Sequence, residues 1–168
     1  MVQHVKSRGN MAYISVIGAG ECDQRTYEMA YQVGREAGWR GAIVVCGGLG
    51  GVMDGAARGA REVGGLAVGI LPGENRLGSS SYLQVALPTG LGQARNTLVV
   101  LAGDAVIAVG GEFGTLSEIG LALKFGKPVV GIETWLLDKE TPVADPIIRA
   151  KDAAEAVEKA LALIRKGP

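Results

Sequence analysis

The chain has 168 residues, with 17 Lys and Arg against 17 Asp and Glu, and 48% hydrophobic residues. That length and hydrophobicity suit one domain with a real core and exclude a disordered chain, while zero net charge argues against electrostatically driven binding of nucleic acid. Two cysteines cannot build a disulfide framework, so the composition reads as that of a cytoplasmic protein, and a single His (His4) leaves no His-based triad and few zinc sites.

In chain order, residues 1–11 open as a polar, basic stretch without periodicity, expected to be a mobile leader with no signal-peptide core. From Ala12 to Pro168 a single domain is expected. Short apolar, β-branched runs stand at 12–18, 42–48, 66–71, 82–87, 105–111 and 128–132, with a short seventh at 147–149. Helix-like segments separate them at 24–38, 50–63, 91–102, 115–125 and 152–166. Near-continuous apolar strands alternating with helices predict a parallel sheet covered on both faces. The fold class is therefore α/β: a three-layer α/β/α sandwich, Rossmann-like and doubly wound, with six or seven strands. No run reaches the length of a membrane span.

Helix ends are legible locally. Gly126-Lys127-Pro128 should stop the fourth helix, and Asp152 with Glu155 should open the last one as a capping-box-like pair. Gly51, Gly55 and Gly59 recur every fourth residue, forming a small-residue ridge expected either to pack closely on the sheet or on a partner subunit or, through its first turn at Gly47–Gly51, to stand beside a second ligand group. Cys22 and Cys46, each after a strand, read as small buried residues rather than reactive thiols.

Glycine is the most informative count, 27 in 168, about twice the usual ~7%. The glycines gather where strands end, which in open α/β sheets is where ligands bind. Gly18 and Gly20 begin a G-x-G pattern, but Asp23 stands at the third glycine position and Gly47-Gly48 occupies the place of a ribose-binding acid, so NAD is disfavoured. A Walker A loop is absent. The third loop, Gly110-Gly111-Glu112-Phe113-Gly114-Thr115, joins a strand end to a helix start. Its backbone N–H groups and the helix dipole would form an anion site, with the Thr115 hydroxyl as a further donor. The same letters also spell a capping box, Thr115 to Glu118, which would leave Glu118 with a purely local role. Arg95 reads either as a surface residue or as a cation aimed into the cleft, where its fork suits phosphate or carboxylate.

Val109-Gly110-Gly111-Glu112-Phe113-Gly114-Thr115-Leu116-Ser117-Glu118, together with Gly47-Gly48-Leu49-Gly50-Gly51-Val52-Met53 and Arg95, resembles the LOG family. That family was long mislabelled as lysine decarboxylases, and its hallmark is PGGxGTxxE. The resemblance runs from Ala12 to Arg165. It implies a Rossmann-like fold, a homodimer or larger assembly, and a phosphoribohydrolase that cleaves a nucleoside 5′-monophosphate to base and ribose 5-phosphate. The equivalents of Arg95 and Glu118 would be catalytic, and the Gly110–Thr115 loop would hold the phosphate. Gly18, Gly20, Gly47, Gly48 and Asn96 complete the expected ligand contacts, and Glu21 or Asp23 would protonate the leaving base. No metal and no bound cofactor is required beyond a phosphorylated ligand. Lysine decarboxylation finds no support, because no lysine context for pyridoxal phosphate is readable. Two departures open an alternative. Val109 replaces the hallmark proline, and Asn96 stands where cytokinin-activating members usually carry Lys. The stretch Gly90-Leu91-Gly92-Gln93-Ala94-Arg95-Asn96 is similar to the branch that includes molybdenum cofactor carrier proteins, which bind a phosphate-bearing pterin and need not hydrolyse it.

Overall fold

The structure is a computed structural model and describes residues 11–138 and 145–166. Apart from Met11, the expected leader with His4 lies outside the described residues. In chain order the elements are β1 (Tyr13–Gly18), α1 (Gln24–Trp39), β2 (Ile43–Cys46), α2 (Val52–Glu62), β3 (Ala67–Leu71) and β4 (Val85–Pro88). A 3-10 turn, Gly92–Arg95, then runs into α3 (Asn96–Ala102), followed by β5 (Ala105–Val109), α4 (Phe113–Lys124), β6 (Val129–Ile132), β7 (Ile148–Arg149) and α5 (Ala153–Lys166).

All seven strands form one parallel sheet in the order β4-β3-β2-β1-β5-β6-β7. The first four strands step outward from β1, and the chain then returns to its other side. This reversal lies between β1 and β5, where Ile14 to Gly18 pair with Ala105 to Val109. Strand pleating sends alternate residues to opposite faces. Ile14, Val16, Val44, Ile107 and Val109 therefore meet α1, α2 and α5 in one core layer, while Ile17, Val45, Val106 and Ala108 meet α3 and α4 in the other. The Rossmann-like sandwich is thus the observed architecture, with seven strands.

Three local expectations change. The fourth strand begins at Val85 rather than Tyr82: residues before it turn back, with Ser80 N–H donating to the Gly48 carbonyl at 2.9 Å, while Tyr82 and Leu83 pack on the core. The fourth helix begins at Phe113, not Thr115. The glycine ridge meets α1 through Gly55 and Gly59 rather than the sheet, while Gly51 meets the loop after β1 at Ala19 and Gly20. A Cβ on Gly55 would come within 2.8 Å of the Tyr27 carbonyl oxygen, and one on Gly59 within 2.7 Å of the Arg35 nitrogen.

The helix ends match their local chemistry. Gly126 takes φ +70° after α4, and Lys127 N–H donates to the Ala122 carbonyl at 2.9 Å, the longer bond of a Schellman stop. At the start of α5, Asp152 accepts from the Glu155 N–H at 2.9 Å, and Glu155 accepts from the Lys151 N–H at 2.7 Å. No described helix is long and apolar enough to cross a membrane.

Candidate functional site

A cleft of about 420 Å³ opens at the carboxyl ends of β1 and β5, at the reversal of strand order. Its walls are the loop after β1 (Gly18, Gly20, Glu21), the loop after β2 (Gly47, Leu49), Met53, the turn with Gln93, Arg95 and Asn96, and the start of α4 (Glu112, Gly114, Thr115, Glu118).

Three helices point their N-termini at this edge of the sheet, and each first turn leaves N–H groups that need partners. On α1, Asp23 is the cap and its carboxylate accepts from the Thr26 N–H at 2.8 Å. On α2, the Ala19 carbonyl accepts from the Val52 N–H at 3.0 Å, and Asp54 supplies negative charge in the first turn. No side chain caps α4. The first turns of α1 and α2 thus each have one N–H partnered from the cap side chain or a neighbouring loop, whereas among the described residues no such partner is found for α4, whose start lines the cleft.

The loop into α4 is built to keep it open. Gly110 and Gly111 sit at φ +53° and +107°, a region unfavourable for other residues, and a Cβ on Gly111 would run into the Thr115 side chain. Gly110 N–H bonds the Ile132 carbonyl at 3.0 Å. Thr134 Oγ1 donates to the Gly110 carbonyl, and Trp135 Nε1 donates to the Glu112 carbonyl at 3.1 Å. The segment after β6 thus ties up the carbonyl oxygens of this loop. At Gly114, by contrast, a Cβ would meet nothing within 4 Å. The protein's own packing does not demand glycine there; the space belongs to the cleft.

Arg95 and Glu118 are buried, at 6% and 7% exposure. Thr115 is the third residue of α4 rather than its cap, so the capping-box reading fails and Glu118 is free of that local role. Among the described residues Glu118 has no basic side chain within 4.0 Å. Burial pushes its carboxyl up to about 7, and the charge of Arg95 only partly opposes this. Burial likewise lowers Arg95 from its ordinary range, with Glu118 and Cys46 pulling it back. Arg95 Nη1 donates to the Asn96 side-chain oxygen, while its buried Nε has no partner. Arg95 is therefore a cleft residue, not a surface one.

The expected ligand residues are distributed unequally. Gly18, Gly20, Gly47, Arg95, Asn96, Gly114, Thr115 and Glu118 share the cleft. Gly110 and Gly111 shape the turn beneath it. Gly48 lies away from it, at φ +77° with its α-carbon against β3, where a Cβ would meet Leu71 at 2.5 Å. Of the two candidate proton donors, Glu21 lines the cleft, whereas Asp23 is the α1 cap, held ionised by the Thr26 N–H. Cys46 is fully buried with its thiol pushed up to about 11 by burial, and partly exposed Cys22 is raised for the same reason, so neither is activated. Among the described residues no group of three or more His, Cys, Asp and Glu side chains is placed to hold a metal ion. Leu49, Met53 and Gln93 stand inside the glycine-rich motifs but carry no spacing signal of a cleft contact, and nothing in the sequence marks the tethering pair Thr134 and Trp135, whose contacts are made across the fold.

A seven-stranded parallel sheet with an uncapped helix N-terminus, a buried Arg and a buried Glu around a cleft at its switch point defines a Rossmann-like protein. Residues 11–161 match the model of the SLOG cluster4 family, and the chain belongs to that family. An uncharacterized protein of Archaeoglobus fulgidus is 48% identical over 120 residues, 71% of this chain and 79% of that one. Among solved structures, the molybdenum cofactor binding protein from Rippkaea orientalis is 34% identical with a TM-score of 0.85, over 93% of this chain and 99% of that one. The Moco carrier protein from Chlamydomonas reinhardtii is 33% identical with a TM-score of 0.81, over the same shares.

Proposed function

We propose that this protein binds a phosphorylated heterocycle in the switch-point cleft and acts as its carrier, a molybdenum-cofactor-like pterin phosphate being the ligand class suggested by the solved cofactor-binding and carrier proteins it resembles. The observation that carries this reading is the uncapped N-terminus of α4, which leaves N–H donors, the helix dipole and the Thr115 hydroxyl facing one cleft. The phosphate sits there, in the room left by Gly114. The flat ring lies over the end of β1, against Gly18, Gly20, Leu49 and Met53. Isothermal titration with adenosine 5′-monophosphate and with a phosphorylated pterin tests this directly. Binding is expected for the wild type and at least tenfold weaker for Gly114→Val, whose branched side chain fills the phosphate position. Equal affinities in the two proteins would overturn the reading.

A second reading, hydrolysis of the N-glycosidic bond of a nucleoside 5′-monophosphate, is favoured by one observation: Glu118 is buried in the cleft with its carboxyl near neutrality. A carboxylate beside C1′ can stabilise oxocarbenium character or activate water. Arg95 would orient it, and of the two candidate acids after β1, Glu21 is the one in the cleft to protonate the base. Incubation with adenosine 5′-monophosphate followed by chromatography decides between the readings. Adenine release that Glu118→Gln abolishes means hydrolysis; intact nucleotide with retained binding means carriage.

A further inference from the structure

Arg95 poses a problem that the phosphate site does not solve. The residue is buried, yet among the described residues its guanidinium touches no carboxylate; its one side-chain partner there is the neutral Asn96 amide, and Nε has none. Buried charges in folded proteins are ordinarily paired, because desolvating an unpaired one is expensive. Glu118 is near enough to be felt but lies outside ion-pair contact. Arg95 lines the cleft, so a counter-charge can reach it from there.

The position of the guanidinium says where. A Cβ on Gly47 would lie 2.7 Å from Arg95 Nη2 and 2.9 Å from its Cζ, so the group rests on the backbone just past the end of β2. The phosphate cradle follows β5. In the sheet, β2 and β5 are the two neighbours of β1, on opposite sides. Two strand spacings of about 4.8 Å put the two positions roughly 10 Å apart. Guanidinium is also the side chain best matched to a bidentate anion.

We propose that the ligand of this cleft carries two anionic groups, a phosphate on α4 and a second oxyanion-like group seated on Arg95, about 10 Å apart across the end of β1. This rests on the phosphate reading above and adds the chemistry of the ligand's far end. A nucleoside monophosphate with a neutral base leaves Arg95 unmatched, whereas a phosphorylated heterocycle with an anionic substituent at its other end satisfies both.

A set of molecular rulers tests it: α,ω-alkanediol bisphosphates of two to eight carbons, each compared by isothermal titration with the alkyl monophosphate of the same chain length. In the wild type, the bisphosphate whose groups span about 10 Å should bind at least tenfold tighter than its matching monophosphate. The two-carbon compound should show no advantage. In Arg95→Gln the affinity ratio at the best length should fall towards one, and in Arg95→Lys it should be partly retained. The rulers in the wild type decide the question even where an Arg95 variant fails to fold. Monophosphates that bind while no bisphosphate length gains would overturn the second subsite and leave the phosphate site standing. A ruler set in which nothing binds would overturn both.

Discussion

Glu118 shows how one residue type in one spacing can mean opposite things. Read along the chain, it completes a T-x-x-E box; in space, it is a buried carboxyl facing a buried guanidinium. The difference lies in where α4 begins, two residues before Thr115, and spacing alone does not locate that start. Its raised carboxyl has a consequence for stability. The folded state holds the Glu118 proton up to about pH 7, whereas the unfolded chain releases it near 4.5. Between those values the folded state binds more protons, so this contribution to stability is full below pH 4.5 and is lost as pH rises through 7. The shift corresponds to about 3 kcal/mol. Glu118→Gln removes the ionisation, so the variant should gain stability relative to wild type from pH 5 to pH 8, by up to that amount. Denaturant melts at a series of pH values measure it, and parallel pH profiles for the two proteins would show that the titration lies elsewhere.

At the scale of elements, the α1–α2 pair is where glycine acts in packing rather than in binding. Gly34 and Gly59 let the two helices approach until a Cβ on either would overlap the facing backbone, Ala56 for Gly34 and Tyr31 for Gly59. The clashing atoms are main chain and cannot swing aside. Gly59→Ala gains about 1 kcal/mol in helix propensity but forces the helices apart, a cost of about 1–3 kcal/mol. A net loss of stability is expected. Gly120→Ala is the control on α4, where a Cβ meets nothing within 4 Å, and should stabilise by about 0.5–1 kcal/mol. Urea midpoints that move in the same direction for both variants would refute the packing account. The periodicity of Gly51, Gly55 and Gly59 revealed a ridge but not what it faces, because a helix face carries no label for its neighbour.

At the scale of the whole molecule, the sheet is deepest at its centre and thin at its rim. Every residue of β5 is buried, as are Ile14 to Ile17 of β1, whereas Val85 and Leu87 of β4 are 38% and 47% exposed. Hydrogen exchange should therefore protect β1 and β5 up to the global unfolding free energy, while β4 and the two-residue β7 exchange through local opening. Uniform protection across all seven strands would contradict that gradient. The cleft lies at the ends of the most deeply buried strands, so its floor is expected to be among the slowest-exchanging parts of the molecule.

What the sequence determined by itself is what local chemistry decides. The alternation of apolar strands with helices, the Schellman stop at Gly126 and the caps at Asp152 all depend on residues a few positions apart. The glycines of the loop after β5 also belong here, because backbone conformation and steric room are local properties. What only the tertiary structure decided is what distant segments do to one another. The Ala19 carbonyl closes α2, Trp135 ties back the loop before α4, and Gly47 receives the guanidinium of Arg95 across the cleft. Burial, and with it the charge state of Glu118, is a sum over neighbours brought together by the fold, and no spacing along a chain encodes that sum.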